Sequence, residues 1–171
     1  MNASGQLLET GQIGEVVIRG KNVFDAYENN PQATAEAFTD GWFRTGDQGK
    51  FDADGYLTIT GRLKELINRG GEKISPLEVD EVIMDHPDVA QAVTFAVPHA
   101  TLGEDVAVAI ILKSEKNVKD NDIRDFAAGR LVNFKVPRLI VFLDEIPKGP
   151  TGKIQRIDLA KKLKLVQAQN E

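Results

Sequence analysis

The stretch Gly61-Arg62-Leu63-Lys64-Glu65-Leu66-Ile67-Asn68-Arg69-Gly70-Gly71-Glu72-Lys73-Ile74-Ser75-Pro76 separates two parts of the chain that have different sequence patterns. It places four basic side chains and two adjacent glycines between a strand pattern and a strong helix start. Adjacent glycines allow a ligand to approach the backbone closely, although a plain turn would use the same residues. We interpret the stretch as a hinge followed by a loop that faces a ligand.

Residues 5–60, before this stretch, show short alternating runs separated by turn residues, which indicates a β-rich segment. One strand is predicted over Glu15–Arg19, and two more form a predicted hairpin closed around Asp54-Gly55. A short helix is predicted over Pro31–Phe38, because proline suits a first turn and the alanines favour helix. Hairpins without a covering layer are marginal in water, so this segment is expected to be the end of a larger domain.

The residues after the stretch predict a regular α+β domain. Ser75-Pro76-Leu77-Glu78 has the pattern of a capping box, in which the serine accepts an amide bond and the glutamate reaches back. Strands are predicted over residues 89–97, 105–112 and 139–143, and helices from Asp120 and over 156–166. This interleaving predicts a small sheet covered by helices.

Composition excludes several classes of function. A net charge of −5 gives no electrostatic footprint for nucleic acid or an anionic membrane, so any anionic ligand needs a local basic cluster. The chain has no cysteine, hence no disulfide framework and no thiolate nucleophile. Its longest apolar runs fall far short of the roughly 20 residues that span a bilayer. Neither end shows a signal peptide or a peroxisomal Ser-Lys-Leu tripeptide.

Polar segments that carry glycine offer the candidate chemistry. Asp47, beside Gly46, suits two vicinal hydroxyls such as those of a ribose, or is a turn aspartate that binds its own backbone. Residues 147–154 lack the glycine and the hydroxyl residue that a phosphate loop needs. They present Lys153, either as a mobile cation for a phosphate or carboxylate or as one more solvated lysine.

Metal and triad chemistry find no support in the sequence. Asp52 and Asp54 lack the third acid and the terminal glutamate of a calcium loop, so they are interpreted as hairpin residues. His86 and His99 stand far apart without partner acids at a useful spacing, and both are interpreted as structural.

Taken in order, several motifs resemble the C-terminal part of the AMP-forming acyl-CoA synthetases, within the adenylate-forming superfamily. The sequence of residues 66–74 resembles those of the branch that contains oxalate-CoA ligases and fatty-acyl-CoA synthetases. The resemblance runs over nearly the whole chain, and the matching motifs are Gly41-Trp42-Phe43-Arg44-Thr45-Gly46-Asp47, Asp54-Gly55-Tyr56-Leu57, Gly61-Arg62-Leu63-Lys64-Glu65, Gly70-Gly71-Glu72-Lys73-Ile74-Ser75-Pro76-Leu77-Glu78-Val79, Pro147-Lys148 and Thr151-Gly152-Lys153-Ile154.

The resemblance implies a role for each matching residue in the first and central motifs. Asp47 would hold the ribose hydroxyls of ATP or the acyl-adenylate, and Arg62 would lie beside the ribose and phosphate. Lys64 would be the hinge about which a small domain rotates between two half-reactions. After rotation, the loop of Gly70 and Gly71 would line the channel for the coenzyme A thiol. The resemblance also implies that Lys73 binds cofactor.

In the last motif, the resemblance implies that Lys153 is catalytic. It would bridge the carboxylate substrate and ATP during adenylation, and stabilise charge as pyrophosphate leaves. One lysine and one glycine loop cannot occupy a single site together, so a hinge motion would supply each in turn.

The same resemblance implies a domain division and a function. Residues 1–61 would be the β-rich end of a large adenylation domain, and residues 62–171 the mobile C-terminal domain of an AMP-binding enzyme. The chain would serve an ATP-dependent carboxylate-CoA ligase that uses ATP, coenzyme A and Mg²⁺. It is expected to be inactive alone, because the phosphate loop, the acyl pocket and the magnesium ligands would lie in an upstream part, and a separate large domain is a possible partner.

Some questions stay open at the level of sequence. The alternative is a non-catalytic module that binds a nucleotide or a partner protein. Oxalate, medium-chain and aromatic acids all remain candidate substrates, with oxalate preferred by resemblance. The expected compartment is the cytoplasm or the peroxisome.

Overall fold

The computed structural model of the chain describes residues 1–113 and 118–165. The chain divides into two compact units, Met1–Lys64 and Glu65–Glu171, here called unit 1 and unit 2. The predicted boundary followed residue 61, whereas the division follows Lys64, inside a single 3-10 turn at Leu63–Glu65. The identities of unit 1 as the end of an adenylation domain and of unit 2 as a mobile domain stay predictions.

Unit 1 is a four-stranded antiparallel sheet with one short helix. The predicted strand, helix and hairpin of this segment are all present in the structure. The long strand β3 is central: β1 pairs along one edge, while β2 and β4 pair with different parts of the other edge. The elements are β1 (Gly14–Ile18), α1 (Pro31–Ala37), β2 (Phe38–Thr39), β3 (Trp42–Phe51) and β4 (Leu57–Arg62).

Unit 1 has almost no hydrophobic core of its own. Met1 is its only buried hydrophobic residue. Nine large apolar side chains of this unit are instead exposed to solvent. They are Leu7, Ile13, Ile18, Phe24, Tyr27, Phe51, Tyr56, Leu57 and Ile59. A sheet with so little buried apolar surface is not expected to be stable without a covering layer.

The described residues of unit 2 form a five-stranded sheet, three short helices and a 3-10 turn at Asn133–Lys135. Its strands are β5 (Ile67–Arg69), β6 (Glu72–Ile74), β7 (Val89–His99), β8 (Gly103–Leu112) and β9 (Leu139–Phe142). Its helices are α2 (Pro76–Met84), α3 (Asp120–Ala128) and α4 (Leu159–Lys162). The predicted α+β class is therefore confirmed.

Strand β8 organises the sheet of unit 2. It pairs antiparallel with β7 over its whole length, and its other edge holds β9 in parallel register and the end of β5. Alternate residues of β8 point to opposite faces, and both faces are buried. Val106, Val108 and Ile110 pack with residues of α2 and α3, whereas Ala107 and Ala109 pack with Ile146 and α4. A sheet covered on both faces explains the continuous apolar run of this strand.

The predicted capping box at Ser75 is wrong in its side-chain contacts, although α2 does begin with Pro76 after an extended Ser75. The serine side chain makes no cap hydrogen bond. Glu78 does not reach back either, because Lys135 lies 2.6 Å from its Oε1 and 2.7 Å from its Oε2. A long-range ion pair thus takes the place of the predicted local hydrogen bond.

The predicted helix over residues 156–166 is also wrong in extent, since only Leu159–Lys162 is helical. Arg156, at the predicted start, lies outside the helix, and its side chain donates a hydrogen bond of 3.0 Å to the Thr94 carbonyl of β7. The left-handed backbone of Lys164 (φ 56°) follows the helix end. Val166, predicted on the apolar face, lies outside the described residues.

Candidate functional site

Asp47 and Arg62 form an ion pair in unit 1. They are directly opposite each other on β3 and β4, and Arg62 Nε lies 2.7 Å from Asp47 Oδ1. The side chains are 34% and 57% exposed, so both groups are accessible to a ligand. The sequence predicted both residues as nucleotide contacts, and the structure brings them together. Their arrangement offers carboxylate oxygens to hydroxyl groups beside a guanidinium that suits a phosphate.

The sequence missed Glu15, which holds the backbone that precedes Asp47. This buried carboxylate of β1 accepts one hydrogen bond from the Gly46 amide at 3.1 Å and another from the Nε of Arg44 at 2.9 Å. The hydrogen bond that Arg44 donates to Glu15 raises the pKa of Arg44. Thr45 also links β1 to this segment, because its Oγ1 donates a hydrogen bond to the Val16 carbonyl and accepts one from the Asp47 amide. Only strand register reveals this cluster, since Glu15 is 31 residues from Gly46.

Gly70 and Gly71 form the two-residue turn of a hairpin between β5 and β6. Their φ angles are +59° and +98°, both in the region that side chains disfavour. A Cβ atom on Gly71 would meet nothing within 4 Å, so open space faces this backbone. The predicted turn is present, and its exposed position is compatible with close approach by a ligand.

Residues 99–105 of unit 2 hold this hairpin from one side. The amide of Gly70 donates to the Leu102 carbonyl at 2.8 Å, and the amide of Asn68 donates to Glu104 Oε2 at 2.6 Å. Arg69 Nε lies 2.7 Å from Asp105, whose side chain is only 5% exposed. The hairpin therefore has a defined position on unit 2 before any ligand arrives.

A cavity of about 670 Å³ lies beside Arg69, and three arginines contribute to its lining. Arg124 donates to the Pro137 and Arg138 carbonyls at 3.4 and 3.2 Å, which fixes its position. Within residues 1–113 and 118–165, the guanidinium of Arg138 has no hydrogen bond or ion pair. The cavity is lined by Arg69, Arg124, Asn133, Phe134, Val136, Pro137 and Arg138. In a protein of net negative charge, this is a local basic cluster suited to an anion.

Lys153 is exposed in a tight loop of unit 2, one residue before the bridge that closes the loop. Lys148 and Ile154 close the loop as an isolated antiparallel bridge. Inside it, the amide of Gly149 donates to the Lys153 carbonyl at 2.8 Å, and the amide of Gly152 donates to the Gly149 carbonyl at 2.9 Å. In the described part of the chain, the Lys153 ammonium has no hydrogen-bonding or ionic partner, so its charge is available.

Arg156, three residues after Lys153 in the chain, belongs to a largely buried polar cluster that was not predicted from the sequence. Its Nη1 lies 2.7 Å from Asp80 Oδ2, and its Nε lies 3.3 Å from Glu65. Asp80 Oδ1 accepts the Thr94 amide at 2.6 Å. Burial raises the pKa of Asp80, and the Arg156 charge opposes that rise. Nothing in the local sequence marks Asp80, which reads as an ordinary helix residue.

The remaining predicted site residues are both exposed lysines. Lys64 lies in the 3-10 turn where unit 1 ends, as a pivot would require. Lys73 pairs across the hairpin with Asn68, close to the glycine turn. No side-chain hydrogen bond or ion pair among the described residues joins this hairpin to the Lys153 loop.

Residues 78–153 match the family model described as AMP-binding enzyme C-terminal domain. The chain contains this domain. The predicted resemblance to the C-terminal part of AMP-forming acyl-CoA synthetases is confirmed.

Two curated relatives and one solved structure illustrate the similarity. The oxalate-CoA ligase of Arabidopsis thaliana is 51% identical over 156 residues, which are 91% of this chain and 30% of that protein. The oxalate-CoA ligase of Saccharomyces cerevisiae is 48% identical over 158 residues, 91% of this chain and 29% of that protein. The structure of ATP-bound MatB from Rhodopseudomonas palustris has a TM-score of 0.89 at 34% identity, covering 95% of this chain and 33% of that one.

The chain thus spans about 30% of the length of these curated relatives. Among residues 1–113 and 118–165, no group of three or more acidic or histidine side chains is arranged to hold a metal ion. No helix in the same residues is long and apolar enough to cross a membrane.

Proposed function

We propose that the chain is the C-terminal part of an ATP-dependent carboxylate-CoA ligase and works together with a large adenylation domain. The observation that carries the proposal is that unit 2 presents two chemically different loops. One holds the unpartnered cation of Lys153, and the other exposes the backbone of Gly70 and Gly71. A module that only bound a partner would need neither.

Adenylation is the proposed task of the Lys153 loop. A carboxylate oxygen attacks the α-phosphorus of ATP, and the bond from that phosphorus to pyrophosphate breaks. Negative charge gathers on the reacting phosphoryl group, where a positioned ammonium stabilises it. Asp47 and Arg62 are proposed to hold the ribose and the phosphate of the same nucleotide. Mg²⁺ is expected to accompany ATP, with protein ligands outside these residues.

Thioester formation is the proposed task of the glycine hairpin. The thiol sulfur of coenzyme A attacks the acyl carbon of the adenylate, and AMP leaves. Gly70 and Gly71, supported by Lys73, would line the thiol channel, because a bare backbone leaves room for the pantetheine arm. The neighbouring cavity with Arg69 and Arg138 suits the phosphates of coenzyme A, since guanidinium groups bind phosphate in bidentate fashion.

A hinge at Lys64 is proposed to bring these loops to one site in turn. The exposed apolar side chains of unit 1 support the need for a large domain, because such a surface favours a covering partner. Alone, the chain is therefore proposed to make no adenylate. Oxalate is the first substrate to test, followed by medium-chain and aromatic acids, and the proposed compartment is the cytoplasm or the peroxisome.

The test supplies the purified chain to a relative's large domain that lacks its own C-terminal part. Carboxylate-dependent pyrophosphate release should appear only in the mixture. Lys153→Ala should abolish this release but spare thioester formation from a supplied acyl-adenylate, whereas the exposed Lys161→Ala should change neither. No rescue by the wild-type chain would refute the proposal and favour a binding module, and equal loss of both half-reactions would refute the role of Lys153.

A further inference from the structure

The guanidinium of Arg156 connects the segment that follows Lys153 to three other parts of unit 2. Arg156 Nη1 lies 2.7 Å from Asp80 of α2, and it donates at 3.0 Å to the Thr94 carbonyl of β7. Its Nε lies 3.3 Å from Glu65, the first residue of unit 2. With its side chain only 15% exposed, Arg156 is fixed in place rather than solvated.

The charges of this cluster depend on one another. The Asp80 side chain is 11% exposed, and its second oxygen is occupied by the Thr94 amide. A buried carboxylate is costly unless a cation and hydrogen bonds compensate it, so Asp80 and Arg156 hold each other in one arrangement. That arrangement fixes the backbone at residue 156 relative to α2 and β7.

The Lys153 loop depends on this anchor for its orientation. Its internal hydrogen bonds join Gly149 to Lys153 and to Gly152 but do not link the loop to the rest of unit 2, so both the direction of the loop and the persistence of these bonds depend on how the chain after Lys153 is held. Ile154 packs against the core beneath β7 and β8, and two residues later Arg156 is bound on two sides. Two fixed points so close to Lys153 leave its backbone little freedom to pivot.

We propose that Arg156 is a positioning residue for the adenylation half-reaction, which it supports by fixing the direction of the Lys153 loop. Arg156 itself touches no substrate in this proposal, and it acts through Lys153. The inference rests on the proposed function. A displacement of about 1 Å at a charged group is enough to lower a rate on the order of a hundredfold, which is the loss expected when the anchor is removed.

The anchor can be tested in the chain without any catalysis. Hydrogen exchange is measured at the amides of Gly149 and Gly152 in the wild-type chain, in Arg156→Gln and in the double variant Arg156→Gln with Asp80→Asn. The double variant leaves no charge at Asp80, and Glu65, which also loses Arg156, is 24% exposed and can be solvated, so this variant is expected to fold well. Protection of both glycine amides should fall about tenfold in both variants while the amides of β8 stay protected. Unchanged protection would overturn the proposal.

The half-reactions give the second readout, in the mixture with the large domain. The double variant should lose about a hundredfold in the rate of carboxylate-dependent pyrophosphate exchange, yet keep thioester formation from a supplied adenylate. The control Arg130→Gln, an exposed arginine stacked on Phe126, should keep both. A double variant that adenylates normally, or that loses both half-reactions equally, would overturn the positioning role. Failure of the wild-type mixture would instead refute the proposed function and leave the exchange result standing.

Discussion

Replacing Gly71 by alanine should destabilise the chain through its backbone alone. The added methyl group meets no atom within 4 Å, so steric contact contributes nothing. The cost comes from the φ angle of +98°, which an L-residue adopts only with strain. Left-handed backbone costs an L-residue about 1–2 kcal/mol, and this is the expected loss in the free energy of unfolding.

A matched substitution is available at Gly129, which follows α3 with an ordinary φ of −72°. Its added Cβ would lie 3.7 Å from the Phe126 carbonyl, an ordinary contact. Gly129→Ala should therefore be neutral or stabilising by about 0.4–1 kcal/mol. Urea unfolding of the two variants and the wild-type chain measures the difference directly.

The functional consequence of Gly71→Ala follows from its place in the hairpin. In the mixture with the large domain, it should slow thioester formation from a supplied acyl-adenylate and leave pyrophosphate exchange unchanged. Two results would refute the reasoning. One is a stability loss no greater than that of Gly129→Ala, and the other is slower pyrophosphate exchange.

Three further outcomes are expected. Burial raises the pKa of Asp80 in the folded chain above the usual aspartate pKa of about 4. The contribution of this carboxyl to the free energy of unfolding is therefore fully present below about pH 4, and it is lost as the pH rises through the raised pKa. Arg156→Gln should therefore cost about 3 kcal/mol near pH 7 and clearly less near pH 4, measured by urea unfolding, and a cost independent of pH would contradict this. Glu15→Gln removes the charge that faces Arg44 and should raise the KM for ATP in the mixture, with a stability loss of about 1–3 kcal/mol. Arg138→Gln should raise the KM for coenzyme A and weaken its dependence on salt, while pyrophosphate exchange keeps its rate as the internal control.

The sequence predicted those parts of the fold that short-range signals specify. The hairpin around Asp54-Gly55 needs only a turn pair and two flanking runs, and β3 and β4 meet there with Phe51 opposite Leu57. The start of α2 follows from Ser75-Pro76, and β8 follows from a continuous apolar run. In each case the determining residues lie within a few positions of one another, so no knowledge of the rest of the fold is required.

The candidate site was predicted residue by residue but not as an arrangement. Asp47, Arg62, Gly70, Gly71 and Lys153 are recognisable in the sequence, because each stands in a motif that resembles one of the acyl-CoA synthetases. Their supporting residues are not recognisable, since each acts over a long separation. Glu15 contacts residues about 30 positions away, and a buried carboxylate in a strand has no local signature.

By itself, the sequence determined the α+β class, the longer strands of unit 2 and the positions of the two glycine-bearing loops, because backbone propensity and turn geometry act locally. Only the tertiary structure decided which charges pair. Glu78 binds Lys135 at a separation of 57 residues instead of capping its own helix. Arg156 reaches Thr94 across 62 residues, and the helix predicted from residue 156 begins only at Leu159. The packed fold decides these contacts, because it brings together charges that lie far apart in the sequence, and the more deeply buried pair, Arg156 with Asp80, is costly to separate.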